Sequence, residues 1–258
     1  MDNIIVAIDF SPNSIDALEY AKLFALHYNV KKIFLFHSLK DQDASNTVQY
    51  DLEQLAIPID NHIQTECFVE EDDLDTGIIK KADEVNAKII FMGITGKNKV
   101  GQKLVGSQVF KVVNNSHIPI LMVPESVLFK KFEHITLALP FIENMVQKIP
   151  YQNINSIIKA TNAALSIVNV THKKEERNFV FKALTETFEM FDEMLPNYHF
   201  PSGSDISKII IDYAEKNDAQ LIISVAGSFD FFNRIFSPSI TKKMAYNSNI
   251  PILIFKQA

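Results

Sequence analysis

The sequence predicts two tandem α/β domains, each a doubly wound sheet of five parallel strands. Three observations predict it: unbroken apolar runs of strand length, helical spacing in the segments between them, and recurrence of the whole pattern half a chain later. Asn115-Ser116-His117-Ile118-Pro119-Ile120-Leu121 is echoed 132 residues on by Asn247-Ser248-Asn249-Ile250-Pro251-Ile252-Leu253. The same offset lays Ala82 on Ala214, Ala87 on Ala219 and Ile89-Ile90-Phe91 on Leu221-Ile222-Ile223. At the front, Ile4 to Ile8 matches Ile135 to Leu139 at an offset of 131, so one residue is gained in between. A period this long far exceeds the roughly 20–50 residues of solenoid repeats and marks a duplicated domain. The halves are 1–124 and 134–258, with the boundary between Pro124 and Glu133.

Each element of the first half has its own signal. Ile4-Ile5-Val6-Ala7-Ile8 is a strand covered on both faces. Ser11-Pro12 starts a helix, a hydroxyl cap followed by proline in the first turn, and Ile15, Leu18, Ala21, Ala25 and Leu26 follow at helical spacing. Lys32 to Phe36 is the second strand, and a helix lies within Asn46 to Leu55. Gln64 to Val69 is a third strand, Asp75 to Val85 a helix, and Lys88 to Met92 a fourth strand. Ser107 to Asn114 is a short helix and Ile118 to Val123 the fifth strand. In such sheets ligands lie beyond the carboxyl ends of the strands.

Composition excludes several classes. Of 258 residues, 47% are apolar and 22% charged, the balance of a folded globular chain. The apolar runs are strand-length, too short to cross a bilayer, and no basic segment precedes an apolar stretch at the start, so a cytoplasmic protein is expected. The single cysteine, Cys67, rules out an internal disulfide and reads as a small buried side chain on a strand. A net charge of −6 disfavours nucleic acid as a partner. The seven histidines show no metal-ligand spacing; His37, at the end of a strand, reads as a hydrogen-bonded packing residue. Glu70-Glu71-Asp72-Asp73 with Asp75 reads as a solvated acidic turn. No Gly-x-Ser-x-Gly elbow offers a hydrolase nucleophile.

Four of the seven glycines fall between positions 93 and 106: Gly93, Gly96, Gly101 and Gly106. They leave a strand and end at a helix start, where free N–H groups and the positive end of the helix suit a phosphate. Charge agrees, because Val85 to Pro124 holds no Asp or Glu but does hold Lys88, Lys97, Lys99, Lys103 and Lys111. The Walker spacing fails, since Gln102-Lys103 follow Gly101.

Gly93-x2-Gly96-x9-Gly106-Ser107 resembles the Gly-x2-Gly-x9-Gly-Ser/Thr pattern of ATP-binding universal stress proteins, and Val6-Ala7-Ile8-Asp9-Phe10-Ser11 resembles their first strand and turn. The resemblance implies a tandem pair with the adenine nucleotide alpha-hydrolase-like fold, and an adenine nucleotide, ATP alone or with Mg, as ligand. It implies that Asp9 and Ser11 meet the ribose or phosphates near the first helix start and that Ser38 and Met92 lie near the adenine. Gly93, Gly96, Gly106, Ser107 and Gln108 would wrap the ribose and phosphates. Phe10 departs from a position that is often glycine, and Gln108 from one that is often small and apolar. The resemblance also implies pairing of the two domains within the chain, or of two chains as a homodimer.

In the second half the pattern decays. Gly93, Gly96 and Gly106 become Val225, Ser228 and Pro238, Ser107 keeps Ser239, and Asp9 becomes Pro140. The loop Phe229 to Phe236 carries four phenylalanines where the first half has lysines, which suits a protein contact rather than a nucleotide. The leading expectation is a regulatory stress-response protein that binds ATP in its first half. The alternatives are a nucleotide-free interaction module of the same fold and a slow ATP hydrolase or self-phosphorylating enzyme.

Overall fold

A computed structural model describes residues 2–39, 45–57, 60–95, 105–139, 145–170, 180–227 and 238–257. The chain divides into two compact units, Met1–Lys131 and Phe132–Ala258.

Unit one runs β1 (Asn3–Ala7), α1 (Pro12–His27), β2 (Lys32–Ser38), α2 (Ser45–Leu55), β3 (Gln64–Glu70), α3 (Leu74–Glu84), β4 (Ile90–Ile94), α4 (Val105–Asn115) and β5 (Ile120–Pro124). The strands pair in parallel in the order β3-β2-β1-β4-β5, the doubly wound sheet predicted. Parallel pairing needs a crossover between strands, and each amphipathic segment supplies one as a helix. Ser11, in extended conformation, caps α1 by accepting from the Ser14 N–H, and Pro12 occupies the first turn. Ala17, Leu18, Ala21, Phe24 and Ala25 form the buried face of α1. The Phe24 ring meets Phe91 of β4 edge-on at 5.3 Å. Leu26, placed by spacing with that stripe, is 46% exposed, one residue and about 100° of helix beyond Ala25.

The residues after β5 lie back on α1. The ring of Phe129 sits edge-on against Tyr20 at 5.3 Å and Phe24 at 6.1 Å, and the Ser126 N–H donates to Asp16 Oδ2 at 2.8 Å. Cys67 lies on β3 and is half-buried rather than buried, because β3 is the outermost strand of this unit's order. Partial burial, with the nearby Glu53 charge, still pushes its thiol up to about 11. Asp73 stands at the start of α3, and Asp75 in its first turn accepts from Asn115 Nδ2 at 2.8 Å.

Unit two runs β6 (His134–Ala138), α5 (Met145–Lys148), α6 (Tyr151–Thr161), β7 (Ala164–Val168), α7 (Val180–Phe191), β8 (Asn197–His199), α8 (Ile206–Lys216), β9 (Leu221–Ala226), α9 (Pro238–Asn247) and β10 (Ile252–Lys256). Its parallel order, β10-β9-β6-β7-β8, repeats that of unit one strand for strand. The repeat extends to single hydrogen bonds. The Ser116 hydroxyl donates to Ile118 O at 2.8 Å and accepts from Ile118 N–H at 3.0 Å; the Ser248 hydroxyl does the same with Ile250 at 2.8 and 2.9 Å. Ile90 N–H donates to Pro119 O and Ile222 N–H to Pro251 O, both at 3.0 Å. The registers place the extra residue. Asn3 stands opposite Lys32 and His134 opposite Ala164, so unit two gains it in the first crossover, where α5, Pro150 and α6 replace the single helix α1. Among the described residues no helix is long and apolar enough to cross a membrane.

Candidate functional site

In unit one the chain moves outward from β1 through β2 to β3 and then returns to β4 on the other side of β1. In doubly wound sheets this reversal, here at the carboxyl ends of β1 and β4, is where ligands bind.

Asp9 stands just past β1. Its Oδ1 accepts from the Ser11 N–H at 3.0 Å and the Ser11 hydroxyl at 2.5 Å. The Ser14 hydroxyl accepts from the Asp9 N–H at 3.3 Å and donates to Ser11 O at 3.0 Å. These bonds knit the β1 exit to the first turn of α1. Burial is the largest single influence on Asp9 and works to raise its pKa, but the donors of Ser11, with Ser14, outweigh it and hold the carboxyl below its ordinary value. Asp9 is therefore ionised at neutral pH. Ser11 divides its hydroxyl between the Asp9 carboxylate and the helix cap. Phe10, between them, has a φ of 60°, the left-handed region that costs a bulky residue most, which accounts for the glycine expected there.

At the end of β2, His37 Nδ1 lies 2.8 Å from Ile8 O. A carbonyl can only accept, so Nδ1 carries the proton. His37 is the hydrogen-bonded residue the sequence suggested. Ser38 donates to Asp72 O at 2.5 Å, tying β2 to the start of the β3–α3 turn.

On β4, Met92 is 3% exposed and stands opposite Met122 inside the sheet. Gly93 has a use that sequence reasoning did not assign. A Cβ there would lie 2.1 Å from Asn13 O and 2.9 Å from Ser14 N, so the missing side chain lets the first turn of α1 rest on the end of β4. Asn13 and Thr95, both buried, complete that contact: Asn13 Nδ2 donates to Thr95 Oγ1, and Asn13 Oδ1 has no hydrogen-bond partner among the described residues. The pair was invisible in the sequence because its members are 82 positions apart and neither belongs to a spaced motif. Gly106, Ser107 and Gln108 stand in the first turn of α4, which holds no acidic residue; Gln108 is half-buried. The first N–H groups of a helix have no partner within it, so this turn offers donors to an anion. Gly96, Gly101, Lys97, Lys99 and Lys103 lie outside the described residues, as does the side chain of Ser107.

The counterpart in unit two is built differently. Val225, at the Gly93 position, is fully buried, and Pro238, at the Gly106 position, is the first residue of α9. Proline deletes one of the first-turn N–H groups. Pro140, Ser228 and the phenylalanine loop from 229 to 236 lie outside the described residues.

The model of the universal stress protein family matches residues 1–124. No curated protein matches the chain. Solved structures are similar along its length. A universal stress protein from Archaeoglobus fulgidus DSM 4304 aligns at a TM-score of 0.67 and 21% identity, covering 98% of both chains. A functionally unknown protein from Pseudomonas aeruginosa PAO1 aligns at 0.62 and 16% identity, covering 99% of this chain and 92% of that one. The cytoplasmic domain of a prokaryotic cation chloride cotransporter aligns at 0.53 and 8% identity, covering 98% and 94%. At these identities the likeness is one of fold.

Proposed function

Through residues 1–124 the chain belongs to the universal stress protein family, and on that premise we propose that unit one binds ATP as a regulatory ligand in a cytoplasmic stress response. One observation carries the reading. At the reversal of strand order, a strand ending in Gly93 and Ile94 is followed by an eleven-residue helix whose first turn contains Gly106-Ser107-Gln108 and no acidic residue. Backbone donors at that turn receive the phosphates. Asp9 and Ser11 border the ribose, Ser38 borders the base, and Met92 supports it from beneath the strand end. Magnesium, in this reading, enters with the phosphates, the usual way that ion is held.

Asp9 also argues for regulation over turnover. A carboxylate with a lowered pKa that already accepts two hydrogen bonds from Ser11 is a weak proton acceptor. Unit two, with a side chain at the Gly93 position and proline at the Gly106 position, serves as scaffold.

Isothermal titration of the full chain with ATP tests the reading. The expected result is saturable binding in the wild type that weakens at least about tenfold in Gly106→Pro, which copies Pro238 and removes one N–H. Proline is tolerated in a first helical turn, so the variant folds. No heat at millimolar ATP would replace this reading with the nucleotide-free interaction module.

A further inference from the structure

The last strands of the two orders, β3 and β8, are guarded differently. β3 is seven residues long and carries Glu66 and Glu70, each held by a lysine of the same unit. Lys32 Nζ lies 2.8 Å from Glu66 Oε1, and Lys81 Nζ 2.6 Å from Glu70 Oε1. Charge of this kind keeps an edge strand from pairing with other chains. β8 has three residues, Asn197, Tyr198 and His199, and the ten residues from Met194 to Gly203 include no Asp, Glu, Lys or Arg. Apolar side chains stand there instead. The Tyr198 ring meets Phe188 of α7 edge-on at 4.4 Å and lies nearly parallel to Phe200 at 6.3 Å. Phe188 and Phe200 are 39% and 46% exposed, and Leu195 is 85% exposed. Leu195 also holds a φ of 46°. Among the described residues, four of the seven others than glycine in that left-handed region are Asn or Asp, which adopt it at least cost. Neither burial nor backbone preference accounts for leucine at 195.

Carboxylates border this apolar patch. Glu189 and Asp192, one and four residues beyond Phe188, are exposed like it. Asp192 stands near enough to Tyr198 that its charge, added to burial, pushes the phenol up to about 12. Glu193 is the exception, because Lys159 holds it at 2.8 Å.

We propose that this patch of unit two receives a basic amphipathic helix of a partner protein, its apolar side chains on Phe188, Leu195 and Phe200 and its lysines or arginines against Glu189 and Asp192. Charge selects the occupant. A second copy of the chain would set the same carboxylates against each other across a twofold axis, and like charges at an interface are unfavourable. A cationic helix gains from both the apolar contact and the carboxylates. A strand is the poorer fit, because β8 is short and Pro196 and Pro201, just beyond its ends, have no N–H to donate to a ladder. The inference does not depend on nucleotide binding in unit one.

The test is fluorescence anisotropy of a labelled helical peptide, leucine on one face and lysine on the other, titrated with the full chain. Wild type should bind it, more weakly as salt rises, and should not bind the same peptide with glutamate in place of lysine. That comparison needs no variant to fold. Leu195→Asn removes the most exposed apolar side chain and suits the left-handed backbone; the pair Glu189→Lys and Asp192→Lys reverses the charge. Each should weaken binding by about tenfold or more. Tyr50→Ser, at an exposed ring of unit one, should leave it unchanged. No binding of the lysine peptide, equal binding of the glutamate peptide, or full binding by Leu195→Asn or the charge-reversed chain overturns the proposal. So does an equal loss in Tyr50→Ser, which would make the attraction general. Self-association in sedimentation that Leu195→Asn abolishes would overturn it in favour of a second copy.

Discussion

The end of β4 and the end of β9 occupy the same place in two copies of one domain, yet they are packed on different principles. At β4, Gly93 gives up its side chain so that α1 can settle on the strand, leaving Asn13 and Thr95 buried against each other. At β9, Val225 fills its own space, fully buried, and the first crossover is divided between α5 and α6. The difference teaches that the first glycine of the spaced pattern is a packing requirement of the strand–helix junction before it is anything to a ligand. The glycine at 106 is another matter. It stands in the first turn of a helix, where its counterpart Pro238 shows that glycine is not needed for folding.

The largest effect that would break this comparison is expected from Gly93→Val, which gives unit one the residue of unit two. A Cβ 2.1 Å from a backbone oxygen cannot be relieved by rotating a side chain. The variant should lose about 3 kcal/mol or more of stability in urea unfolding, at the upper end of overpacking costs. A loss under 1 kcal/mol would show that α1 lifts away freely. Next come the duplicated serines. Ser116→Ala and Ser248→Ala each orphan a buried Ile N–H and should each cost about 2 kcal/mol, equally and additively. Unequal costs would show that the repeat is preserved in geometry but not in energetics.

The smallest effect concerns Asp9, which unit two lacks. Its folded pKa lies below the unfolded value of about 3.9. Its stabilisation is therefore complete above that value and is lost as pH falls through the folded pKa. The urea midpoint of wild type should exceed that of Asp9→Asn at pH 6, and the gap should close on acidification below about pH 4. A gap that widens with acid would mean the carboxyl is stabilised in its neutral form.

Local signals were legible and distant ones were not. Ser11 followed by Pro12 announced the start of α1, because the cap and the proline are neighbours in sequence. The duplication was legible in repeated residues and recurs as repeated hydrogen bonds. The fourth strand, however, runs Ile90–Ile94 where Lys88 to Met92 was expected, since Gly93 reads as a turn until its ladder partner Val123 is known. Helix α4 begins at Val105 rather than Ser107 for a similar reason: Gly106 lowers helical propensity but is harmless in a first turn. The contacts that shape the candidate site, Gly93 on Asn13 and Asn13 on Thr95, bring together segments some 80 residues apart in sequence. No local pattern records them.

The central claim is that one copy of the domain kept its phosphate-binding turn and the other lost it. Native mass spectrometry of the full chain in excess ATP tests this most directly, by counting nucleotides per polypeptide. One per chain is expected for the wild type, with occupancy reduced in Gly106→Pro at limiting ATP. Two per chain would contradict it by showing that Pro238 and Val225 do not exclude the ligand, and none on the wild type would contradict it outright.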